Sequence, residues 1–296
     1  MKVAIIDLGS NSARMNIVEI KDGNAVVLQN HRKIVRLSEG MGEEKKLQPQ
    51  AVERTLETLK KFKEIIDESG VEKVRAIATA ALRTATNREL LTEPLKEIGI
   101  EFEIIDGEKE AYYDYMAVVS TLEVDKCLII DIGGASTEII KVENGVNTDA
   151  VSIPMAAVNI TEKYFSGTIA KDSEIENAIC DFTDKLKEIE WLKSLDRLNV
   201  IGLGGTIRAL AFLECKGDEL HGYEMESDFV YTKCMELVKM PMEQRIQHEG
   251  LEVGRADIIL GGVVPLISLM KFVNSPRLVT CVAGLREGVM YDIVKK

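Results

Sequence analysis

A short phrase that occurs twice constrains the fold of this chain more than any other feature. Residues 4–18 read AIIDLGSNSARMNIV, and residues 128–140 read LIIDIGGASTEII. Aligning Asp7 with Asp131 also brings the glycine and the serine that follow into register. Each copy predicts a buried strand, a tight turn of small residues and a second strand. A repeat of this kind predicts two domains that begin with the same unit.

The rest of the chain supports a division into two domains. Its 296 residues are enough for about two domains, and strand and helix patterns alternate after each copy of the phrase. This alternation predicts an α/β fold with mixed sheets covered by helices. We expect a first domain over residues 1–120 and a second over residues 121–283, without a low-complexity linker between them.

Three segments show clear helix patterns. Pro49 begins an amphipathic pattern that ends at Gly70, as expected because proline is favoured in the first turn of a helix and glycine after the last. A long helix is predicted over about residues 172–193. The 13-residue apolar run at 258–270, IILGGVVPLISLM, is too short to span a bilayer and predicts a buried helix.

Charge and composition exclude several classes of protein. The formal net charge of −12 disfavours a surface for nucleic acid or anionic membranes, although a local basic groove can still bind an anionic ligand. The five cysteines form no Cys-x-x-Cys pair and the three histidines lie far apart, so zinc-ligand spacing is absent. The N-terminus lacks the pattern of a signal peptide. We therefore expect a reduced, cytoplasmic protein with neither a nucleic-acid nor a membrane partner.

Three turns rich in small residues are candidate phosphate sites. A glycine-rich turn leaves backbone N–H groups pointing into a concavity, where they bind phosphate oxygens without cationic side chains. The third turn, within VIGLGGTIRALA (200–211), also precedes a helix, whose N-terminus favours an anion. Its spacing differs from that of a P-loop. The candidate residues are Ser10, Asn11 and Ser12; Gly133, Gly134 and Ser136; and Gly204, Gly205 and Thr206.

An aspartate ends the first strand of each copy, directly before the turn. A carboxylate beside a phosphate-binding turn is a suitable ligand for Mg²⁺, which takes one or two carboxylates together with water and phosphate oxygens. Asp7 and Asp131 are therefore predicted metal ligands. The alternative is an aspartate that only caps its own turn. Because the aspartate occurs in both copies, we favour the interpretation that the pair binds a metal ion.

Hydrolysis at a bound phosphate would also need a group that orients water, because phosphoryl transfer depends mainly on positioning and charge stabilisation. Glu108 and Glu110 follow a predicted strand and open a helix, where acidic residues are also common for purely structural reasons. Arg83 follows another strand end, where its guanidinium can hold a phosphate. The alternative for Arg83 is an arginine on the surface or one that caps a helix.

Eight segments, taken in order along the chain, resemble the exopolyphosphatase/guanosine pentaphosphate phosphohydrolase (Ppx/GppA) family. DLGSNS and GGAST alone would indicate only the wider actin/hexokinase-like superfamily, and the arginine and glutamate segments narrow the resemblance to this family. The segments are DLGSNS (7–12), VRLSEGM (35–41), ATAALRTATN (78–87), DGEKEA (106–111), DIGGASTE (131–138), GLGGTIRALA (202–211), RADIILGG (255–262) and GLREGVMYD (284–292).

The resemblance implies a duplicated ribonuclease-H-like, actin-like fold with an active-site cleft between the domains. It also implies Mg²⁺-dependent release of the terminal phosphate from a phosphoanhydride chain. Glu110, which precedes Ala111, takes the place of the catalytic glutamate, Glu138 that of a further acid near the metal, and Arg83 that of a substrate-binding arginine. The final helix, about residues 284–296, is expected to pack back on the first domain.

The chain departs from the family pattern at three positions, one of which is Ala156, where a glycine is usual. Ala135 stands where a third glycine is often found, and its methyl group narrows the turn. Asn159 stands where an arginine is usual, so the second domain offers one cation fewer to a long polyanion.

We expect an exopolyphosphatase that releases orthophosphate from inorganic polyphosphate and forms a homodimer. A phosphohydrolase for guanosine pentaphosphate (pppGpp) is the alternative, because both substrates share the scissile bond and no residue decides between them. An actin-like nucleotide-binding switch, a small-molecule kinase and an inactive relative are further alternatives. Adenosine binding at Gly204 and Gly205 would favour the switch or the kinase.

Overall fold

The computed structural model describes residues 1–217, 219–251 and 254–295, and the chain forms two compact units. Unit 1 comprises Met1–Ser120 together with the last helix of the chain, which begins at Leu285. Unit 2 comprises Thr121–Gly284. Each unit is built on a mixed sheet with helices packed against it.

The strands of unit 1 form one sheet, and they are β1 (Lys2–Leu8), β2 (Ser12–Lys21), β3 (Asn24–Ile34), β4 (Lys73–Ala78) and β5 (Phe102–Ile104). Their order in the sheet is β3-β2-β1-β4-β5. The first three strands form an antiparallel meander, β4 pairs with β1 in parallel, and β5 pairs with β4 in parallel.

The strands of unit 2 repeat this arrangement, and they are β6 (Cys127–Ile132), β7 (Thr137–Glu143), β8 (Val146–Ile153), β9 (Val200–Gly204), β10 (Glu224–Glu226) and β11 (Arg277–Thr280). Their order is β8-β7-β6-β9-β11-β10. The first three again form a meander, β9 and β11 continue it in parallel, and β10 adds an antiparallel edge. The duplicated α/β fold predicted from the repeated phrase is therefore confirmed.

The repeat extends to details of the backbone. The β2–β3 and β7–β8 hairpins turn at Asp22–Gly23 and Asn144–Gly145, whose φ angles lie between 51° and 75°. Positive φ at both positions is what a two-residue hairpin turn of this kind requires. A register shift follows Ile17 on β2 and Lys141 on β7. These two irregularities occupy the same place in the aligned repeat.

Helices pack against both sheets, and in chain order they are α1 (Pro49–Glu68), α2 (Ala80–Thr84), α3 (Glu89–Glu97), α4 (Gly107–Val119), α5 (Ala157–Tyr164), α6 (Asp172–Lys187), α7 (Gly205–Cys215), α8 (Ser227–Lys239), α9 (Met242–Gln247), α10 (Ile259–Phe272) and α11 (Leu285–Lys295). As predicted, α1 begins at Pro49, and α10 is buried from Ile259 to Met270. The helix predicted over 172–193 is shorter: α6 ends at Lys187 and Ile189 adopts an extended backbone, so a separate 3₁₀ turn follows.

Helices cover both faces of the sheet of unit 1. On one face, Tyr113 of α4 and Val289 of α11 belong to the same buried cluster as Ile5 of β1. On the other face, Leu59 of α1 shares a cluster with Ile6. Each fully buried aliphatic or aromatic side chain of this size contributes about 1.5–3 kcal/mol to stability. The first strand is therefore buried from both sides.

The core of unit 2 lies around α10, which packs against α5, α6 and α8. This helix is apolar all round because neighbours surround it, which is typical of a central helix in a large domain. Among the residues that the structure describes, no helix combines the length and the apolar character needed to cross a membrane.

The last helix approaches α4 closely at Gly288. A Cβ atom at this position would lie 1.9 Å from the carbonyl oxygen of Tyr113. Gly288→Ala should therefore push α11 away from α4 and lower the free energy of unfolding by about 1–3 kcal/mol, the usual effect of overpacking. Gly284→Ala is the control, because a Cβ there meets no atom within 4 Å. Urea unfolding measures both, and equal losses would contradict the prediction.

Candidate functional site

The turns at the two aspartate strand ends have the same backbone form. In unit 1, the N–H of Gly9 donates to the carbonyl oxygen of Ser12 at 3.1 Å. In unit 2, the N–H of Gly133 donates to the carbonyl oxygen of Ser136, also at 3.1 Å. Each bond closes a tight bend at the end of β1 or β6, so both predicted phosphate-binding turns have a defined shape.

The turn of residues 133–136, named here the glycine turn, is anchored to α5. The carbonyl oxygens of residues 133–135 accept hydrogen bonds of 3.3, 2.8 and 2.8 Å from the N–H groups of Ala157 and Val158 and the side-chain Nδ2 of Asn159. In a trans peptide unit the N–H points opposite to the carbonyl. The N–H groups of residues 134–136 therefore point away from α5.

These three N–H groups form an arrangement suited to an anion. No hydrogen bond within the described part of the chain uses the N–H of Gly134, Ala135 or Ser136. Successive N–H groups on one side of a turn make a concave site that binds phosphate oxygens. The glycine turn therefore has the geometry that the sequence predicted for a phosphate site.

The corresponding turn of unit 1 is held by different partners. The N–H groups of residues 35–36 both donate to the carbonyl oxygen of Asn11 at 3.0 Å, and the N–H of Ser38 donates to that of Ser10 at 3.0 Å. The Asn11 side chain is 7% exposed, and its Nδ2 has no hydrogen-bond partner among the described residues. A buried amide donor without a partner is costly. Asn11 is therefore suited to donate to a ligand, and Ser12 lies buried beside it.

Two carboxylates lie side by side in unit 2. Asp131 and Glu138 face each other across β6 and β7, and their nearest carboxylate oxygens lie within 4.8 Å. Glu138 is fully buried, and the hydroxyl of Ser152 donates to it at 2.6 Å. Carboxylates this close repel each other. A hard divalent cation removes that repulsion and prefers oxygen ligands, so these residues fit such an ion.

The equivalent position in unit 1 has the opposite charge. Arg14, not an acid, lies opposite Asp7 across β1 and β2. Burial raises the pKa of the Asp7 carboxyl, and the guanidinium groups of Arg14 and Arg286 lower it. These two cations reduce the attraction of Asp7 for a metal. The metal role of Asp7 stays a prediction, and the acidic pair of unit 2 fits a cation better.

The start of α7 lies against the Asp131 carboxylate. Gly204 has φ of +95°, and a Cβ atom there would lie 2.8 Å from the carbonyl oxygen of Ile132 and 3.0 Å from Asp131 Oδ1. Only glycine combines this backbone angle with such a close approach. The third turn named from the sequence is therefore brought to the acidic pair.

The next two residues of this turn are covered. The guanidinium of Arg255 occupies the space above Gly205, because a Cβ atom there would lie 1.8 Å from its Cζ. The Thr206 side chain packs against Gly262 of α10 and is 1% exposed. Phosphate binding by Gly205 and Thr206 stays a prediction. Arg255, which the sequence offers as a candidate cation for a polyanion, is buried at the N-terminus of α7.

In unit 1, Arg83 and Glu110 form a defined pair. Nη1 of Arg83 donates to Glu110 Oε2 at 3.0 Å and to the carbonyl oxygen of Ile105 at 2.9 Å. No hydrogen bond within the described residues uses Nε or Nη2 of Arg83. These two nitrogen atoms are therefore suited to donate to a phosphate.

The start of α4 separates the two candidate glutamates. Asp106 caps the helix, and its carboxylate accepts the N–H of Lys109 at 2.8 Å. This start of the helix directs Glu110 inward, where it is 7% exposed, and leaves Glu108 in solvent. The structure thus brings Glu110, and not Glu108, to Arg83.

A cavity of about 590 Å³ borders Arg83 in unit 1. Its wall includes the half-buried Phe102, and Thr92 of α3 and Arg88, the residue before α3, also line it. Lys96 and Glu101, which pair at 3.6 Å, lie on its rim. Cavities of this volume accept ligands of nucleoside size.

Sequence patterns did not single out two of these residues. The aligned repeat contains a signal for Arg14, because it places Arg14 on Glu138. Ser152 has no such signal, because the register shift after Lys141 decides which residue of β8 lies opposite Glu138. Without that shift, Val151 and not Ser152 would lie opposite Glu138.

A model of the Ppx/GppA phosphatase family matches residues 16–296. A curated relative from Photobacterium profundum, named guanosine-5'-triphosphate,3'-diphosphate pyrophosphatase, is 31% identical over 300 residues. That match covers 99% of this chain and 59% of the relative, so the chain spans only part of that protein's length.

Solved structures are similar over almost their whole length. The crystal structure of the Aquifex aeolicus member of the Ppx/GppA protein family is 32% identical, with a TM-score of 0.82 and coverage of 100% of this chain and 98% of that one. An exopolyphosphatase from Cytophaga hutchinsonii is 24% identical, with a TM-score of 0.89 and coverage of 100% and 98%. The second similarity supports the fold alone.

Repulsion within the acidic pair leads to a prediction about metal binding. Added Mg²⁺ should raise the Tm of the protein, because an ion that binds only the folded state stabilises it. Asp131→Asn and Glu138→Gln should lose this response. Asp149→Asn is the control, because Asp149 pairs with Lys141 elsewhere on the same sheet. Calorimetry with Mg²⁺ and with chelator measures the effect, and a full response in both site variants would contradict it.

Proposed function

The chain belongs to the Ppx/GppA phosphatase family, and from this premise we propose that it hydrolyses the terminal phosphoanhydride bond of pppGpp and releases orthophosphate. Sequence patterns placed polyphosphate first and pppGpp second. The name of the Photobacterium profundum relative supports the second of these substrates. The reaction class is the same for both.

The observation that carries the proposal is the glycine turn beside the acidic pair. Its three N–H groups suit phosphate oxygens, and Asp131 precedes the turn by two residues while Glu138 follows it by two. Donors for an anion and ligands for a cation therefore belong to one hairpin. A phosphate that also contacts a metal needs both kinds of group.

Unit 1 carries its own donors suited to a phosphate. Nε and Nη2 of Arg83 can hold a phosphate in a fork, and charge-assisted bonds of this kind are about twice as strong as neutral ones. Nδ2 of Asn11 adds a buried neutral donor at the end of β1. A phosphate bound in unit 1 would be neutralised by Arg83 and oriented by both residues.

Glu110 is the residue that accepts the proton of the attacking water. Its carboxylate is held by Arg83 at 3.0 Å, so its direction is fixed before substrate arrives. A general base placed in this way contributes ~10²–10⁴-fold to the rate. Mg²⁺, held by Asp131 and Glu138, would supply charge neutralisation at the phosphate oxygens.

The cavity beside Arg83 supports a nucleoside substrate. The ring of Phe102 offers a surface on which a base can stack, and stacking tolerates any base because each has a π face. Arg88 lies on the same cavity and can contact a second phosphate group. Polyphosphate has no base that could stack on Phe102.

Polyphosphate is the second candidate because residues 31–36, which read HRKIVR, form a locally basic segment. Lys33 is exposed on the edge strand β3, and Arg32 and Arg36 are half-buried. Spaced cations of this kind attract a long polyanion. Binding that depends on them should weaken as salt increases, because exposed charges are screened over about 8 Å at physiological ionic strength.

Glu110→Gln should lower kcat by ~100-fold or more with little change in substrate binding, because the amide keeps the shape but cannot accept a proton. Glu108→Gln is the matched control and should keep its activity, since Glu108 is exposed. Steady-state phosphate release measures both. If only the Glu108 variant is inactive, Glu108 and not Glu110 is the general base. If both variants are active, the water is activated elsewhere.

Phosphate release from pppGpp, inorganic polyphosphate and ATP, with Mg²⁺ and with chelator, tests the choice of substrate. We expect pppGpp to have the highest kcat/KM. Phe102→Leu keeps the apolar volume but removes the ring, so KM for pppGpp should rise about fivefold or more while polyphosphate is unaffected. A higher kcat/KM for polyphosphate, rising with chain length, would overturn the choice of pppGpp.

A further inference from the structure

The side chain of Asn159 connects three segments of unit 2. Its Oδ1 accepts the N–H of Ala156 at 2.7 Å at the start of α5. Its Nδ2 donates to the carbonyl oxygen of Ala135 at 2.8 Å and to that of Pro154 at 3.1 Å. One amide group thus links the glycine turn, the residue after β8 and the first turn of α5.

The bond to Ala135 differs from the other two bonds that anchor the glycine turn. Backbone N–H groups of α5 hold the first two carbonyl oxygens, and they are part of the helix itself. The third carbonyl is held by the side chain of Asn159. The peptide unit between Ala135 and Ser136 therefore depends on this side chain for its orientation.

Rotation of that peptide unit would change the anion site. The carbonyl of Ala135 and the N–H of Ser136 belong to one rigid plane and point in opposite directions. If the carbonyl left Asn159, the N–H of Ser136 would leave the side of the turn where the other two N–H groups point. A carbonyl oxygen would then face the anion and repel it.

We propose that Asn159 is a positioning residue that keeps the glycine turn in its anion-binding form. The inference rests on the phosphate-binding role of this turn within the proposed function. Asn159 acts through the Ala135 carbonyl and has no need to touch the substrate. It thereby couples the start of α5 to the third donor of the site.

Two substitutions separate this role from capping of α5. Asn159→Asp retains an oxygen that can accept the N–H of Ala156, so the helix start is kept, but it removes the donor to Ala135 and turns an oxygen towards that carbonyl. Asn159→Ser is neutral and too short to reach Ala135. A shared effect of both variants therefore cannot come from added charge.

A matched control is available on another helix. Glu174 occupies the same third position of α6, and its Oε2 accepts the N–H of Lys171 at 3.0 Å. Glu174→Ala removes this contact at a helix start that has no bond to the glycine turn. It should lower stability slightly and leave phosphate binding unchanged.

Titration with inorganic phosphate, followed by the amide resonances of Gly134, Ala135 and Ser136, tests the proposal. In the parent protein all three resonances should shift together. In both Asn159 variants the Kd for phosphate should rise about tenfold or more, the scale of one lost hydrogen bond to a charged group, and the Ser136 resonance should lose most of its shift. The Glu174 variant should behave like the parent.

Steady-state kinetics of the same proteins provide the second measurement. KM for the phosphoanhydride substrate should rise more than kcat falls, because Asn159 orients a binding group and not the base. Parent-like phosphate titration in both variants, or absence of any shift at the glycine turn of the parent, would overturn the inference. Normal titration behaviour in a parent that fails to hydrolyse pppGpp would overturn the proposed function and leave the inference standing.

Discussion

The site depends on one constraint: the carbonyl groups of the glycine turn must face α5. A tight turn at a strand end has two possible faces, and the polarity of each is set by the direction of its peptide planes. Because α5 binds the carbonyl oxygens of residues 133–135, the opposite face carries only N–H groups. An anion site is thereby built without any cationic side chain. The conformation of this turn matters more than the identity of its residues.

The two halves of the chain have the same backbone at the repeated hairpin but differ in the charge beside the strand-end aspartate. Both hairpins share the closing bond, the turn type and the register shift. The residue opposite the strand-end aspartate differs, because it is Arg14 in unit 1 and Glu138 in unit 2. One half therefore pairs its carboxylate with cations, and the other places two carboxylates together. The two hairpins share one backbone geometry, and the residue opposite each aspartate decides the charge at that strand end.

Local patterns predicted the fold and the turns of the candidate site, whereas the contacts that join these turns to other segments depend on residues far apart in the chain. The repeated phrase predicted both sheets, because alternation and turn signals act over a few residues. Pairing of Arg83 with Glu110 could not be read from the chain, because it joins residues 27 positions apart. The contact of Ser152 with Glu138 depends on a register shift that no turn signal announces. The covering of Gly205 by Arg255 is a packing event of the same kind.

The last helix completes a part of unit 1 that lies near the first turn. Asn16 is 1% exposed in the middle of β2, where an unsatisfied amide would cost about 1–3 kcal/mol. Its two polar atoms are satisfied by α11: Arg286 donates to Oδ1 at 2.8 Å, and Nδ2 donates to Glu287 at 2.9 Å. Burial raises the pKa of Asp7, and the Arg286 guanidinium partly opposes that rise. Arg286 lies 270 positions after Asn16 in the chain. The charges around the end of β1 are therefore complete only when α11 is packed on unit 1.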